Sequence, residues 1–271
     1  MTSIPRQPLV DALDEQWRNI SALMAELPDG DWATPALPGW SVHDVVAHMA
    51  GTEAMLLGEQ PPEPPDDPSA LPHVHNPIAV LNERWVAMVR GWKPGDLLAR
   101  FDEVTGRRRE ALAAMSQEDF DAPSWTPAGQ ATYGRFMQIR VFDCWMHEQD
   151  IRAAVGRPGN EDGAPAELAI DEIERALGYI VGKLGGAPKG STVTFTLTGP
   201  APRVRHVVVA DRATVADTID HPATATITMP STLFARLAGG RTQAVRHRDA
   251  ITLGGDTTLG EHITDKLAYT I

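Results

Sequence analysis

Cysteine is nearly absent. Cys144 is the single one in 271 residues, so no disulfide can form within the chain and a disulfide-stapled fold is excluded. Basic residues are also few, 24 Lys and Arg against 36 Asp and Glu, for a formal net charge of −12. A surface of that sign repels phosphate backbones and anionic lipid, so nucleic acid and membrane surfaces are not expected partners. Every apolar stretch is cut by charge, Gly or Pro well before the roughly 18 residues that a transmembrane helix needs. The opening MTSIPRQPLVDALDEQW lacks a basic segment followed by an apolar one, so no secretory signal is read and a cytoplasmic location is expected. There is no Gly-x-Ser-x-Gly elbow, which leaves serine hydrolysis without support.

What the chain does have is helical periodicity. Leu9, Leu13, Trp17, Ile20, Met24 and Leu27 recur at steps of three and four, predicting an amphipathic helix over 8–27. After the Pro38-Gly39 turn, Ser41 and Asp44 have capping-box spacing and open a second helix to Leu57. The proline-rich residues 58–77 read as a long surface connection. Helices are predicted over 78–92, 96–115 and 132–155, the last stopped by Gly156, with a Pro-containing loop through Pro127 before it. Beyond Asn160 a helix is expected over 166–184, and then the period switches to two. Strands are predicted over 192–197, 203–210, 223–229 and 250–253, with helices over 231–238 and 257–268. The expected architecture is therefore two-domain α+β: an all-α four-helix bundle over 1–160 and an α+β domain over 161–271.

Placing the polar residues on helical wheels singles out a site. At about 100° per residue, His48 falls at the margin of the buried arc of its helix and His43 on the opposite side, facing outward. On the helix over 132–155, Asp143, His147 and Asp150 share one face with Phe136 and Ile139. Two carboxylates on a core face need a cationic or hydrogen-bonding partner, because burying them bare costs several kcal/mol. A divalent metal meets that need: Asp143 and His147 at i and i+4 aim at one point, and His48 supplies a third donor. Three protein ligands leave one position open, the catalytic form of a zinc site. Asp150 then orients a histidine or a bound water. The same spacing also describes an ordinary ion pair beside a core histidine, so the pattern by itself leaves both readings open.

The segment Trp32-x-Thr34-Pro35-x-x-Pro38-Gly39-Trp40-Ser41-Val42-x-Asp44-Val45-Val46-Ala47-His48, together with the run from Arg140 to Gly156, resembles the mycothiol-dependent maleylpyruvate isomerase family. The region from Thr226 to Gly260, with Met229-Pro230 and Leu237-Ala238-Gly239-Gly240-Arg241, is similar to the C-terminal domain of that family. The resemblance implies a DinB-like metal-binding bundle followed by a sterol-carrier-protein-like domain. It maps metal histidines onto His48 and His147, with Asp143 where the family commonly has Glu. It also implies a divalent metal, zinc above all, that activates the thiol of mycothiol or a similar small thiol for S-transfer to, or isomerisation of, a small electrophile. Isomerase and transferase chemistry both fit. A non-catalytic small-ligand or metal-binding module and a metal-activated-water hydrolase are the alternatives.

The remaining polar features have plainer expectations. Arg241 is a candidate anchor for a substrate carboxylate, with a surface arginine as the competing reading. His73 and His75 read as a solvated loop pair, and Arg107-Arg108-Arg109 as a solvated helix face. Gly185 to Ser191 imitates phosphate-loop glycine spacing but lacks its lysine and precedes a strand. Cys144 points away from the metal face and is expected in the core, as are tryptophans 17, 40, 85 and 145.

Overall fold

Helix formation in the first half follows the caps and apolar stripes. In a computed structural model describing residues 3–61, 63 and 66–270, the chain divides into two units, Met1–Asn160 and Glu161–Ile271. Pro62, Pro64 and Pro65 of the proline-rich connection lie outside the described residues.

The first unit contains α1 (Arg6–Ala25), α2 (Val42–Leu56), α3 (Pro77–Val89), α4 (Pro94–Ala114), the short α5 (Gln117–Asp121) and α6 (Tyr133–Val155). Ser41 accepts the Asp44 amide, and the Asp44 side chain accepts from the Ser41 amide, so the reciprocal cap fixes where α2 begins and hence which face His48 occupies. Thr132 caps α6, and Gly156 ends it in the left-handed region at φ 67°. α2 packs against α3, α4 and α6, while α1 packs against α4 and α6. Leu13, Trp17, Ile20, Val45, Val46, Phe101, Val104 and Val141 are fully buried between them. Gly51 permits the close approach of α2 and α3, since a Cβ there would collide with Trp85 on α3.

Two small hairpins, β1 (Pro35–Leu37) with β2 (Trp40–Ser41) and β3 (Pro123–Thr126) with β4 (Gly129–Thr132), stand before α2 and α6. The second hairpin and α5 replace the structureless loop expected over 116–127. A second Ser–Asp capping box, at Ser116 and Asp119, is the local reason for α5.

The second unit holds α7 (Gly163–Glu174), α8 (Leu177–Tyr179), β5 (Thr192–Thr198), β6 (Arg203–Val209), β7 (Ala213–Ala216), β8 (Ala225–Pro230), α9 (Ser231–Ala238), β9 (Thr252–Gly255) and α10 (Thr257–Asp265). The sheet order is β7-β6-β5-β8-β9, with β5 and β8 parallel and the other pairs antiparallel. Val193, Phe195, Ile227 and Met229 point to the covered face, alternating along β8 with half-buried residues. The single helix expected over 166–184 is instead broken after Glu174 and ends in a π turn at Ile180–Leu184. Gly178 lies so close to β7 that a Cβ would meet the Ala213 carbonyl at 2.5 Å, so contact with a strand absent from the sequence prediction reshapes this helix. The observed architecture is thus a helical unit followed by a sheet-containing α+β unit. No helix among the described residues is long and apolar enough to cross a membrane.

Candidate metal centre

α2 and α6 bring three donors together. One ligand atom from each of His48, Asp143 and His147 lies within 4.8 Å of the other two. His48 Nε2 is 3.3 Å from Asp143 Oδ2, and His147 Nε2 is 3.7 Å from Asp143 Oδ1. The imidazole centroids are 5.0 Å apart with planes at 78°. Donors placed tetrahedrally about 2.0–2.2 Å from a cation are separated by roughly 3.3–3.6 Å, so the His48 spacing is that of a zinc-type site, while the His147 spacing, to the other carboxylate oxygen, is slightly longer. Two imidazoles and a carboxylate are the borderline donor set of such a site, and the residues fit a divalent ion. Asp143 keeps 28% of its side chain exposed while His48 keeps 5%, so the cluster opens to solvent on its carboxylate side.

Asp150 sits one turn beyond His147 and is buried, and His147 Nδ1 donates to its Oδ2 at 3.1 Å. That bond leaves the Nε2 lone pair aimed at Asp143 and a prospective ion. His48 has no equivalent. Its Nδ1 is buried without a hydrogen-bond partner among the described residues. Trp40 from β2 lies against both rings, with its centroid 5.2 Å from that of His48 and 6.4 Å from that of His147.

The compensating cation required by the buried carboxylates is present in the chain, and the wheel reading overlooked it. Arg140, one turn before Asp143 on the same face, donates Nη1 to Asp143 Oδ2 at 2.5 Å. Its Nε donates to Glu53 Oε1 at 3.0 Å, and Arg108 Nε donates to Glu53 Oε2 at 2.9 Å. Glu53, Arg108 and Arg140 are all at most 3% exposed, so three helices are tied through one buried carboxylate. Arg108 is therefore no part of a solvated face, although Arg107 and Arg109 remain partly exposed. The i,i+3 spacing of Arg140 and Asp143 was a usable signal; the Glu53–Arg108 pair, 55 residues apart, had none.

The electrostatics follow from this arrangement. Burial acts to raise the Asp143 carboxyl, but the Arg140 guanidinium and the two imidazoles outweigh it and hold the group well below the usual carboxylate range. Burial pushes the His48 imidazole down, offset in part by Asp143, which favours the neutral, metal-binding form. Burial pushes the Cys144 thiol up to about 12 against the pull of Arg140, so Cys144 is a packed thiol and not a nucleophile.

Two histidines depart from expectation. His43 is buried rather than outward, with its Nε2 donating to the Trp92 carbonyl at 3.1 Å, because the chain leaving α3 covers that side of α2. His73 is not solvated: its Nε2 donates to Glu83 Oε1 at 2.6 Å, whereas His75 is exposed. Among the tryptophans, Trp17, Trp85 and Trp145 are buried and Trp40 is half-buried. Arg241 lies in the second unit after α9, where its Nη1 donates to the Gly239 carbonyl at 2.5 Å.

Comparison with known proteins agrees with this layout. The family model described as the mycothiol maleylpyruvate isomerase N-terminal domain matches residues 13–152, and that of the corresponding C-terminal domain matches 167–262. Among solved structures, a mycothiol-dependent maleylpyruvate isomerase is similar at 17% identity and a TM-score of 0.58, covering 94% of this chain and 96% of that one. A structure of a mutant of such an isomerase, with one histidine replaced by alanine, is similar at 16% identity over the same shares, with a TM-score of 0.57. Sterol Carrier Protein 2 from Yarrowia lipolytica aligns with 38% of this chain and 93% of its own at 14% identity, with a TM-score of 0.28. No curated protein sequence matches the chain. With both domain models matched in order along the sequence, the chain belongs to the mycothiol-dependent maleylpyruvate isomerase family.

Proposed function

We propose that this protein is a divalent-metal enzyme that uses mycothiol, or a similar low-molecular-weight thiol, for S-transfer to or isomerisation of a small electrophile. The observation that carries the reading is the convergence of one donor atom each from His48, Asp143 and His147 within 4.8 Å, with both histidines buried and the carboxylate partly exposed. A divalent ion held there supplies Lewis acidity, lowering the pKa of a thiol that reaches its open position.

The chain's own residues divide the remaining work. His48 and His147 offer imidazole nitrogens, and of the three Asp143 offers the anionic donor. Arg140 holds one Asp143 oxygen, which fixes the carboxylate plane without adding a second ligand. Asp150 fixes the His147 tautomer and acts as a positioning residue. Trp40 closes one wall with an apolar ring that keeps water from the imidazoles. Cys144 is locked in the core, so the sulfur nucleophile comes from the small thiol. In isomerisation the thiolate forms a C–S bond to a conjugated double bond, the former double bond rotates, and cleavage of the same C–S bond returns the thiol. In S-transfer the bond persists and a leaving group departs.

The test combines metal analysis with thiol accounting. Purified protein is expected to carry about one equivalent of metal, lost in His48→Ala. Turnover of a conjugated keto-acid is expected to require mycothiol. Isomerisation returns the thiol unconsumed, and S-transfer consumes it one for one. Metal-free wild-type protein, or turnover at full rate with no thiol, overturns the proposal; the second result points to activated water.

A further inference from the structure

A histidine that binds metal through one nitrogen ordinarily donates its other N–H to a carboxylate or carbonyl, and that bond fixes the ring. His147 follows the rule through Asp150. His48 does not, since its Nδ1 is buried and has no partner among the described residues. The His48 ring is also the more deeply buried of the two, and its hydrogen bond from Nε2 to Asp143 Oδ2 at 3.3 Å uses the nitrogen that an ion would take, so with metal bound a contact other than a hydrogen bond must hold the ring.

The neighbour in place to do so is Trp40, whose ring is tilted 35° to that of His48 at 5.2 Å between centroids. Trp40 is itself clamped. Its indole N–H donates to Glu83 Oε1 at 2.6 Å. Glu83, on α3, is 1% exposed. The same oxygen accepts from His73 Nε2 at 2.6 Å, and Glu83 Oε2 accepts from Arg90 Nη2 at 3.2 Å. Arg90 is in turn paired with Asp44, the residue that closes the α2 capping box. Gly39, immediately before Trp40, has φ +78°, and a Cβ there would strike the His73 ring. The turn that carries Trp40 is thus held by a positive-φ glycine, a buried carboxylate and the helix cap that sets the phase of His48.

We propose that Trp40, held by Glu83, is the positioning residue for His48, an aromatic contact standing in for the hydrogen bond that this ligand lacks. The inference rests on the metal-binding reading of the site. In mechanical terms Glu83 reaches the His48 ring through one intervening side chain, Trp40, and through Arg90 and Asp44 only by way of the helix cap, so Glu83 and Trp40 are expected to act as one chain of influence.

The measurement is metal affinity in full-length protein, by competition of Zn²⁺ against a chromogenic chelator, with the Co²⁺ ligand-field spectrum as a second readout of coordination geometry. Trp40→Ala is expected to weaken affinity at least about 10-fold, within the range usual for losing a residue that orients a metal ligand. Glu83→Gln is expected to weaken affinity less, in the same direction, and to shift the Co²⁺ spectrum as Trp40→Phe does, since the amide leaves the indole N–H only a neutral acceptor and phenylalanine removes the donor, while both keep an aromatic ring beside His48. Trp40→Phe also covers the case in which the alanine variant does not fold. The decisive result is the double variant: Glu83→Gln is expected to have no further effect on affinity once Trp40 is Ala or Phe. Wild-type binding with unchanged affinity in the Trp40 variants overturns this inference alone, as do additive effects of the two substitutions. Absence of metal binding by the wild-type protein overturns the metal reading itself and this inference with it.

Discussion

Glu53→Gln removes one charge from the centre of the first unit while keeping the side chain's shape, and its cost can be worked from the structure. Glu53 is fully buried and is shared by Arg108 and Arg140, which are 2% and 3% exposed. Without it, two buried guanidinium groups face a single carboxylate, Asp143, which only Arg140 reaches. Removing one partner of a buried ion pair costs about 3–5 kcal/mol, mostly as the uncompensated charge left behind. In a unit of this size about 1 kcal/mol moves Tm by roughly 2–4 °C, so a fall of about 6–20 °C is expected. All seven tryptophans lie between residues 17 and 145, so thermal melts followed by tryptophan fluorescence report on the first unit alone. A companion variant, Glu53→Met with Arg108→Met, leaves Arg140 and Asp143 balanced one to one and is expected to recover most of the loss. A fall below about 2 °C for Glu53→Gln, or a double variant no more stable than the single, refutes the argument that uncompensated charge is what matters.

Other expectations can be checked with the same protein. Asp150→Asn keeps an acceptor for His147 Nδ1 but removes the charge, and is expected to weaken metal affinity about 10–100-fold with Tm of the metal-free protein little changed; equal affinity in chelator competition contradicts it. Burial depresses both His43 and His48, so the unfolded chain takes up protons at about pH 6.5 that the folded chain refuses. The unfolded state then binds more protons, and metal-free stability is expected to fall on acidification below that point, by up to about 1.4 kcal/mol per pH unit for each histidine. Denaturant melts that are flat between pH 7 and 5 count against it. Gly51→Ala improves helix propensity by about 1 kcal/mol but drives a methyl into Trp85, and overpacking of about 1–3 kcal/mol is expected to win, read as a lower Tm.

The parts of the fold that were legible in the sequence are those governed by local rules. The Ser41–Asp44 cap, the Thr132 start and Gly156 stop of α6, and the alternation along β8 each depend on residues within one turn or one strand of each other. Wheel positions likewise put Asp143, His147 and Asp150 on one face of α6, because helical phase is fixed once the ends are known. Errors came where distant segments decide. The helix over 166–184 breaks because β7 approaches Gly178, and a four-residue strand rich in Ala and Thr has too little pattern to announce itself.

At the site the division is the same. Sequence alone set the donor types and their spacing on α6, because i, i+4 and i+7 are properties of any helix. Whether His48 would come near that face, and which side chains would surround the three donors, depended on how α2, α3, α4 and α6 pack. Packing placed Arg140 between Asp143 and Glu53, buried His43 under the end of α3, and took Arg108 out of an arginine run that looked solvated. It also set Trp40 against His48 with Glu83 behind it. Charges and rings separated by 43 to 87 residues meet only when burial of the apolar stripes has fixed the helix pairing, and no local periodicity encodes that meeting.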